Sequence, residues 1–312
     1  MEDAESDAAP AQGDDAAAEA AMPATVADRL RHSDHLTRAE RRLAEAMLSN
    51  YPATALGSIT ALARNGGVSA PTVVRLARKL GYSGFPDLQR GLHEEIETTY
   101  STPLAKQERW VAEAPQSHIV NRFAEAAARN MRRTLARLDT ATFDAVVDLL
   151  ADPERKLFVA GGRITHALAD YLFTHLQVIR SGVILVGPHT GTWPHAVLDM
   201  RRGDVLVAFD IRRYEREMLR LAESTAERGA VVVLLTDPWR SPAAGCATHV
   251  LTGQVEAPSA WDSCGTLMFL VESAIAAVQA ATWDESRARL EEAEGLLDRS
   301  RLFGSVSGRT RG

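Results

Sequence analysis

The sequence is poor in cysteine and lacks any long apolar run. Cys246 and Cys264 are the only cysteines, which is too few for a disulfide framework or for the spacing of a structural zinc site. No stretch of roughly 18 consecutive apolar residues occurs, and the acidic start lacks the basic and then apolar layout of a secretory signal. We therefore expect no membrane insertion, no secretion, no cofactor and a cytoplasmic location.

Lys, Arg and aromatic side chains are missing from residues 1–25, which hold seven carboxylates and otherwise mainly Ala, Pro and Gly. Too little apolar surface is available there to offset the entropy cost of ordering. The sequence thus predicts a disordered acidic, Ala-rich tail, assigned to residues 1–33. In residues 37–92, by contrast, eight Lys or Arg stand against three Asp or Glu. This local excess of positive charge indicates a polyanionic partner.

Short helices with basic faces follow the tail. The capping-box pair Thr37 and Glu40 begins a helix that reaches residue 49, a second helix starts near Ser58, and a third is capped by Ser69 and ends at Gly81. The close spacing of the last two predicts a helix-turn-helix. Its outward residues, which we expect to enter a DNA major groove, are Ser69, Ala70, Pro71, Thr72, Arg75, Arg78 and Lys79. An ordinary solvated three-helix bundle remains the alternative on spacing alone.

Two stretches of this region carry a resemblance. Residues 36–42 read Leu-Thr-Arg-Ala-Glu-Arg-Arg, and residues 68–85 read Val-Ser-Ala-Pro-Thr-Val-Val-Arg-Leu-Ala-Arg-Lys-Leu-Gly-Tyr-Ser-Gly-Phe. Both closely resemble the N-terminal domain of the RpiR/MurR family of transcriptional regulators, whose recognition helix is followed by a Gly-aromatic-Ser-Gly-Phe turn. The resemblance implies a domain that binds a double-stranded DNA operator, assigned here to residues 34–112.

After a helical connector, assigned to residues 113–150, the pattern changes. Short runs that are nearly all apolar and rich in β-branched residues alternate with helical stretches, which predicts the buried parallel strands of an α/β sheet. These runs are residues 156–160, 183–187, 205–209 and 231–236. The predicted fold class is therefore two-domain, with an all-α N-terminal domain and an α/β parallel-sheet domain over residues 151–284, followed by a charged helix and tail over residues 285–312.

Ligands of such a sheet bind beyond the carboxyl ends of the strands, so the loops there supply candidate ligand-binding residues. A glycine pair and a helix N-terminus suit an anion, and arginines can pair with it. The candidates are Gly161, Gly162, Arg163, Thr165, Asp210, Arg212, Arg213 and Tyr214. A structural interpretation is equally open, in which Asp210 pairs with Arg212 or Arg213 and the glycines form ordinary turns.

Residues 156–281 also resemble the SIS, or sugar isomerase, domain, whose pattern is followed at residues 203–209, at residues 227–237 and at Ser241-Pro242. The resemblance implies a flavodoxin-like sandwich that binds phosphorylated sugars in RpiR/MurR-type regulators. The phosphate loops differ, because residues 161–165 replace Gly-x-Gly-x-Ser and residues 210–215 replace Ser-x-Ser-Gly-x-Thr. We expect a different acidic metabolite, and a pocket that has lost ligand binding is the competing hypothesis.

These observations predict a transcriptional regulator of the RpiR/MurR type, more a repressor than an activator, that senses a small anionic metabolite such as a sugar phosphate or sugar acid. A sugar-phosphate isomerase is the alternative, with His166 the best candidate for proton transfer, but the fused DNA-binding domain favours a sensor over an enzyme. A purely architectural nucleic-acid protein would need a broader basic surface. Because helix-turn-helix proteins usually read two half-sites, we expect a homodimer or homotetramer.

Overall fold

The computed structural model describes residues 25–31, 33, 35–48, 51, 57–100, 102–112 and 118–300. The chain divides into two compact units, Met1–Ile96 and Glu97–Gly312. The first unit thus ends earlier than the boundary predicted at residue 112. Almost all of the predicted acidic tail, residues 1–24, and the C-terminal residues 301–312 lie outside the described residues.

Helices make up the described part of the first unit, and their apolar faces meet in one core that includes Leu43, Leu62 and Leu76. The helices are α1 (Val26–Arg31), α2 (Arg38–Leu48), α3 (Ile59–Asn65), α4 (Ala70–Lys79) and α5 (Phe85–Tyr100), the last of which extends past the boundary at Ile96. Helix α1 corrects the prediction of a disordered tail up to residue 33. Val26 and Leu30, one helical turn apart, are buried in the core, so the folded unit begins before residue 34.

The predicted helix starts of the first unit are largely confirmed. Thr37 N donates to Glu40 Oε2 at 2.8 Å, and Glu40 N donates to Thr37 Oγ1 at 3.4 Å, which is the reciprocal pairing of a capping box. Ser69 holds the N-cap position of α4, but its side chain makes no capping bond. Its hydroxyl instead pairs with Thr72 Oγ1 at 3.0 Å.

The second unit contains a five-stranded parallel sheet of order β2-β1-β3-β4-β5. Its strands are β1 (Leu157–Gly161), β2 (Val183–Leu185), β3 (Val205–Asp210), β4 (Val231–Thr236) and β5 (His249–Thr252). Its helices are α6 (Pro103–Ala112), α7 (Ile119–Arg137), α8 (Thr140–Ala151), α9 (His166–Ile179), α10 (Trp193–Asp199), α11 (Arg216–Glu227), α12 (Gly265–Ala281) and α13 (Trp283–Ser300). The predicted α/β class and its first four strands are confirmed.

Alternating strand residues pack on opposite faces of this sheet. Leu157 and Val159 join a core with residues of α8, α9 and α12, whereas Phe158 and Ala160 join a second core with residues of α10 and α11. Because all five strands are parallel, the loops that follow β1, β3 and β4 emerge at the same edge of the sheet. Helices on both faces therefore leave that edge as the place where a ligand can approach.

Helix α12 belongs to the core of the second unit. Its buried residues include Leu267, Leu270, Val271 and Val278. No single helix among the described residues is long and apolar enough to cross a membrane, although the bent pair α12 and α13, 102° apart, passes the same test by length and composition. The apolar residues of α12 are thus used in the core of this unit.

Candidate functional site

Helices α3 and α4 form a helix-turn-helix in the first unit. The Oγ of Ser58 caps α3 by accepting from Ala61 N at 3.2 Å. In the turn, Gly67 has a φ of +59°, a left-handed conformation that favours glycine. A Cβ added to Gly66 would lie 2.7 Å from Leu43 Cδ1, so a larger residue would collide with α2. The two glycines therefore permit a short turn packed against the core.

Helix α4 turns Val73 and Leu76 inward, as predicted. Of the predicted DNA-reading residues, Ser69, Pro71, Arg75, Arg78 and Lys79 are exposed and Ala70 is partly buried. Thr72 differs from the expectation, because it is only 5% exposed. Its Oγ1 pairs with Ser69 Oγ and accepts from Arg75 Nη2, each at 3.0 Å. Thr72 thus positions Arg75 instead of projecting outward itself.

Lys79 is exposed, yet it is held by the neighbouring helix. Its Nζ donates to Glu40 Oε2 at 2.7 Å and to His35 O at 3.0 Å. Burial alone would raise the pKa of Glu40, but bonds from Lys79 and Thr37 outweigh it, and the pKa lies below its usual value. Lys79 therefore ties α4 to α2. Arg75 and Arg78 are the predicted DNA-reading cations for which the described residues provide no ion pair.

In the second unit, the loops after β1 and β3 line a cavity of about 210 Å³. A smaller cavity of about 40 Å³ shares several of the same residues and adds Gly162, Asp210 and Glu215. The charged residues around the larger cavity are Lys106, Arg163, Arg212, Arg213 and Asp262. Four cations thus face one carboxylate, which gives the larger cavity an excess of positive charge.

Asp262 is held between two buried cations. Arg212 Nε and Nη2 each donate to its carboxylate at 2.9 Å, and Lys106 Nζ donates to Oδ1 at 2.5 Å. Burial would raise the pKa of Asp262, but the bond from Arg212, followed by that from Lys106, lowers it below the usual value. Burial also lowers the pKa of Lys106. These three residues, which we call the Asp262 cluster, form one wall of the cavity.

Arg212, predicted as a ligand-binding guanidinium, is thereby committed to the protein. It is 8% exposed, its guanidinium carbon lies 4.0 Å from the ring centroid of Trp239, and its backbone N donates to Asp237 Oδ2 at 2.7 Å. Tyr214 is directed to the same carboxylate, since its hydroxyl donates to Asp237 Oδ1 at 2.8 Å. Asp237 is fully buried and burial raises its pKa. It organises the loop after β3.

Asp210, at the end of β3, is 2% exposed. Its Oδ2 accepts from the hydroxyl of Ser241. The pairing of Asp210 with Arg212 or Arg213, which the structural interpretation of the sequence expects, is thus replaced by a neutral donor. Burial raises the pKa of Asp210 to about 7, because a carboxylate in that position has lost its water and gained no cation.

The glycine loop after β1 is closed by the protein's own groups. Thr165, 3% exposed, donates its hydroxyl to Phe209 O at 2.7 Å, so this hydroxyl fastens the loop to β3. A Cβ on Gly161 would lie 2.5 Å from Thr165 O, which explains the glycine. The backbone N of Arg163 donates to Glu215 Oε1 at 2.8 Å. The loop amide expected to meet a ligand therefore already has an anionic partner.

Arg163 and Arg213 are the cations that remain available in the cavity. Both side chains are exposed, both line the two cavities, and no described residue forms an ion pair with either of them. Trp261 and Ile164, 57% and 48% exposed, provide apolar surface beside them. This combination of two guanidinium groups and an apolar wall is suited to a small organic anion.

Comparison with known proteins agrees with both units. A family model described as a helix-turn-helix domain of the rpiR family matches residues 26–99, and a SIS domain model matches residues 149–277. The HTH-type transcriptional regulator HexR of Pseudomonas aeruginosa is 28% identical over 209 residues, covering 65% of this chain and 70% of the relative. HexR of Escherichia coli is 26% identical, covering 70% and 74%.

The chain carries the domain pair of an RpiR-type transcriptional regulator. The recognition made from its sequence is thereby confirmed, and this domain pair implies that DNA is a partner. This RpiR-type protein is a transcriptional regulator, and the HexR relatives are named as transcriptional regulators too. His166, the residue weighed for proton transfer, lines neither cavity.

Solved structures share the fold of this RpiR-type regulator. The sugar isomerase domain of an RpiR transcription factor from Sphaerobacter thermophilus has a TM-score of 0.54 at 21% identity, covering 57% of this chain and 99% of that one. The Vibrio vulnificus NanR protein, complexed with ManNAc-6P, has a TM-score of 0.52 at 20% identity, covering 89% and 100%.

Three residues in or behind the cavity walls of this regulator are not identified from the sequence. Lys106 lies 156 positions before its partner Asp262, and no local pattern links them. Asp237 looks like an ordinary turn residue after β4. Glu215 is the last residue of the altered loop and stands where the family has Thr. That substitution is the sequence signal that points to its contact with the glycine loop.

Proposed function

We propose that this regulator represses transcription from an operator read by α4, and that a small acidic metabolite in the cavity of the second unit changes its affinity for that operator. The effector half rests chiefly on one observation, that Arg163 and Arg213 are exposed in the same cavity without an anionic partner among the described residues. Guanidinium groups bind carboxylate and phosphate with paired hydrogen bonds. The sugar phosphate bound to the NanR structure supports an acidic sugar derivative as the ligand class.

The rest of the cavity supports a sugar-like body for that ligand. Trp261 is exposed beside the arginines and offers a ring face against which the apolar side of a sugar or sugar acid can pack. The Asp262 cluster supplies charged groups that are already fixed in position, so little reorganisation is needed on binding. We therefore place the acid group of the ligand at Arg163 and Arg213 and its body against Trp261.

Helix α6 offers a route for signalling. Its residues Pro103 and Lys106 line the cavity, and it is the first helix that follows α5 along the chain. An acidic ligand that draws Lys106 away from Asp262 would favour a different position of α6. A useful switch needs a difference of about 1–3 kcal/mol between the ligand's affinities for the two arrangements. Lys106→Met is expected to bind ligand and DNA while losing most of the effect of one on the other.

The DNA half of the proposal is tested by binding measurements on the region upstream of the gene. We compare the wild type with Arg75→Ala at two salt concentrations, with Arg220→Ala, an exposed arginine of the second unit, as the control of equal charge. Loss of a base-reading arginine typically costs about 1–3 kcal/mol, so Arg75→Ala is expected to bind roughly tenfold more weakly or worse. Equal affinities of the three folded proteins would contradict reading by α4.

The effector half is tested by ligand-induced shifts in melting temperature with gluconate, glucose 6-phosphate and 6-phosphogluconate. The wild type and Arg220→Ala are expected to respond to at least one of them, and Arg213→Ala to lose the response. A response that survives in both Arg213→Ala and Arg163→Ala would place the acid group elsewhere. If the wild type responds to no acidic sugar derivative, the competing hypothesis of a cavity without ligand gains the stronger position.

We assign repression and a homo-oligomer to complete the proposal. A protein bound at an operator that overlaps a promoter blocks polymerase without any further contact, whereas activation needs one. One helix-turn-helix makes few base contacts, so two copies on paired half-sites supply the affinity. The exposed apolar residues Val120, Phe123 and Leu135 of α7 support contact between copies. Light scattering of the free protein and a promoter-reporter assay in a deletion strain test these two assignments.

A further inference from the structure

A carboxylate of the chain itself lies in the glycine loop after β1. Glu215 Oε1 accepts from the backbone N of Arg163 at 2.8 Å. A Cβ built on Gly162 would lie 3.0 Å from Oε1, 3.1 Å from the carboxylate carbon and 3.4 Å from Oε2. The carboxylate thus rests directly on the face of Gly162, in contact that any other residue at this position would disturb. It fills the space that a ligand's anion would need in order to reach this amide.

Other carboxyl groups reinforce this effect. The backbone N of Glu215 bonds to the carboxyl group of Asp210, and the charges of Asp237 and Glu215 both act on Asp210. Asp210 and Glu215 line the smaller cavity together with Gly162. Arg163 and Arg213 line both cavities, whereas Asp210 and Glu215 line the smaller one. The carboxyl groups of the site are therefore concentrated beside the glycine loop.

A phosphate group would meet two obstacles beside the glycine loop. The Arg163 amide is occupied by Glu215, and like charges at contact distance repel strongly where water is partly excluded. A hydroxyl or ammonium group meets neither obstacle, since it can donate to the carboxylate of Glu215. Among the described residues, Oε2 of Glu215 accepts no hydrogen bond, which leaves it available to such a donor.

We propose that Glu215 is the specificity-determining residue of this site. Its carboxylate acts as the protein's own anion in the glycine loop and excludes phosphate from that loop. It selects a ligand whose hydroxyl or ammonium groups donate to Glu215 and whose acid group binds Arg163 and Arg213. The exclusion of phosphate rests on the geometry of the loop alone, and the orientation of the ligand rests on the proposed function. The ligand class is therefore an acid that carries several hydroxyl groups or an amino group, with its acid group at one end.

Titration calorimetry with inorganic phosphate tests the exclusion. The full-length wild type is compared with Glu215→Ser, which empties the loop and adds a hydroxyl, and with Glu215→Gln, which removes the charge but keeps the volume and the acceptor oxygen. Glu217→Ser, an exposed acid in the first turn of the same helix, is the matched control. Circular dichroism confirms that each variant is folded.

The expected order of phosphate affinity is Glu215→Ser above Glu215→Gln above the wild type, with Glu217→Ser equal to the wild type. The gain for Glu215→Ser is expected to be roughly tenfold or more, the scale of one charge-assisted hydrogen bond. The proposal is overturned if Glu215→Ser and the wild type agree within about twofold, or if Glu217→Ser gains as much. If Glu215→Ser does not fold, Glu215→Gln decides the matter by the same comparison with the wild type.

This test separates the inference from the proposed function. Phosphate titration of the Glu215 variants needs no effector, so it can succeed although no acidic metabolite binds the wild type. Conversely, gluconate binding that depends on Arg213 can be found even if the Glu215 variants bind phosphate with the same affinity as the wild type. When both hold, Glu215→Ser is expected to change the ratio of the affinities for gluconate and phosphate by roughly tenfold in favour of phosphate, which Arg213→Ala alone does not do.

Discussion

Replacing Asp262 by Asn is expected to destabilise the second unit more than any other single change in the cavity. Asp262 is the shared anion of two buried cations, since the side chains of Lys106 and Arg212 are only 4% and 3% exposed. Asn keeps the shape but removes the charge, and Arg212 then keeps a longer ion pair with Glu256, at 3.4 Å. Breaking a buried charge pair from one side typically costs about 3–5 kcal/mol.

The assay is scanning calorimetry of the full chain. For a unit of this size, 1 kcal/mol shifts the melting temperature by about 2–4 °C, so Asp262→Asn is expected to lower the transition of the second unit by roughly 6–20 °C. The pKa of Asp262 lies below its usual value, so its stabilising effect is present above that usual value and is lost as the pH falls through the lowered pKa. The difference between variant and wild type should therefore shrink in acid.

Lys106→Met supplies the matched comparison. It leaves the two bonds between Arg212 and Asp262 intact and removes a cation whose burial is unfavourable, so it is expected to cost less than about 1 kcal/mol. In the double variant, Asp262→Asn should cost less than it does alone, because one of the two stranded cations is gone. The reasoning would be refuted if Asp262→Asn lowered the melting temperature by less than about 2 °C, or if Lys106→Met lowered it by more than Asp262→Asn does.

Three further changes test other parts of the molecule. Burial raises the pKa of Asp210 to about 7, so the stability of the wild type falls as the pH rises from the ordinary pKa of an aspartate towards 7. Asp210→Asn should remove this pH dependence and stabilise the protein by about 2–4 kcal/mol at pH 8. Melting curves recorded from pH 5 to 8 measure the difference. Gly161→Ala places a Cβ 2.5 Å from a backbone oxygen and should cost roughly 1–3 kcal/mol in urea denaturation, whereas Gly187→Ala, with no atom within 4 Å, should not. Glu40→Gln should destabilise the first unit by about 1–2 kcal/mol through its lost bonds to the cap and the lysine, and exposed Glu45→Gln serves as its control; equal melting temperatures would contradict it.

The fold was predictable because its determinants are local. Strands β1, β3 and β4 are short, almost wholly apolar runs, and burial at every position of β1 and β3 demands such runs. Strand β5 escaped because only Leu251 of its four residues is buried, so its composition does not distinguish it from a loop. Helix α1 was not predicted because its few apolar residues directly follow the acidic tail and were assigned to it.

The candidate site was predictable in its position but not in the roles of its residues. Parallel strands bring their carboxyl ends to one edge, so the three loops had to meet there. What each side chain does in those loops depends on partners far away in sequence. Thr165 was expected to offer a hydroxyl to a ligand, and it donates instead to Phe209 O of the adjacent strand, a contact that only the strand order determines.

Arg212 and Arg213 show the limit most clearly, because they are neighbours of identical type with opposite roles. Arg212 meets Asp262, which is 50 positions away, and Trp239, whereas Arg213 projects into the cavity. A buried guanidinium is stable only with an anion fixed beside it, so the arginine that points inward is the one for which the fold provides a carboxylate. Arg213 is exposed to solvent and therefore needs no such partner within the protein. The availability of Arg213 to a ligand is therefore a consequence of the commitment of Arg212 to the protein, and a regulator that altered Asp262 would lose the distinction between them.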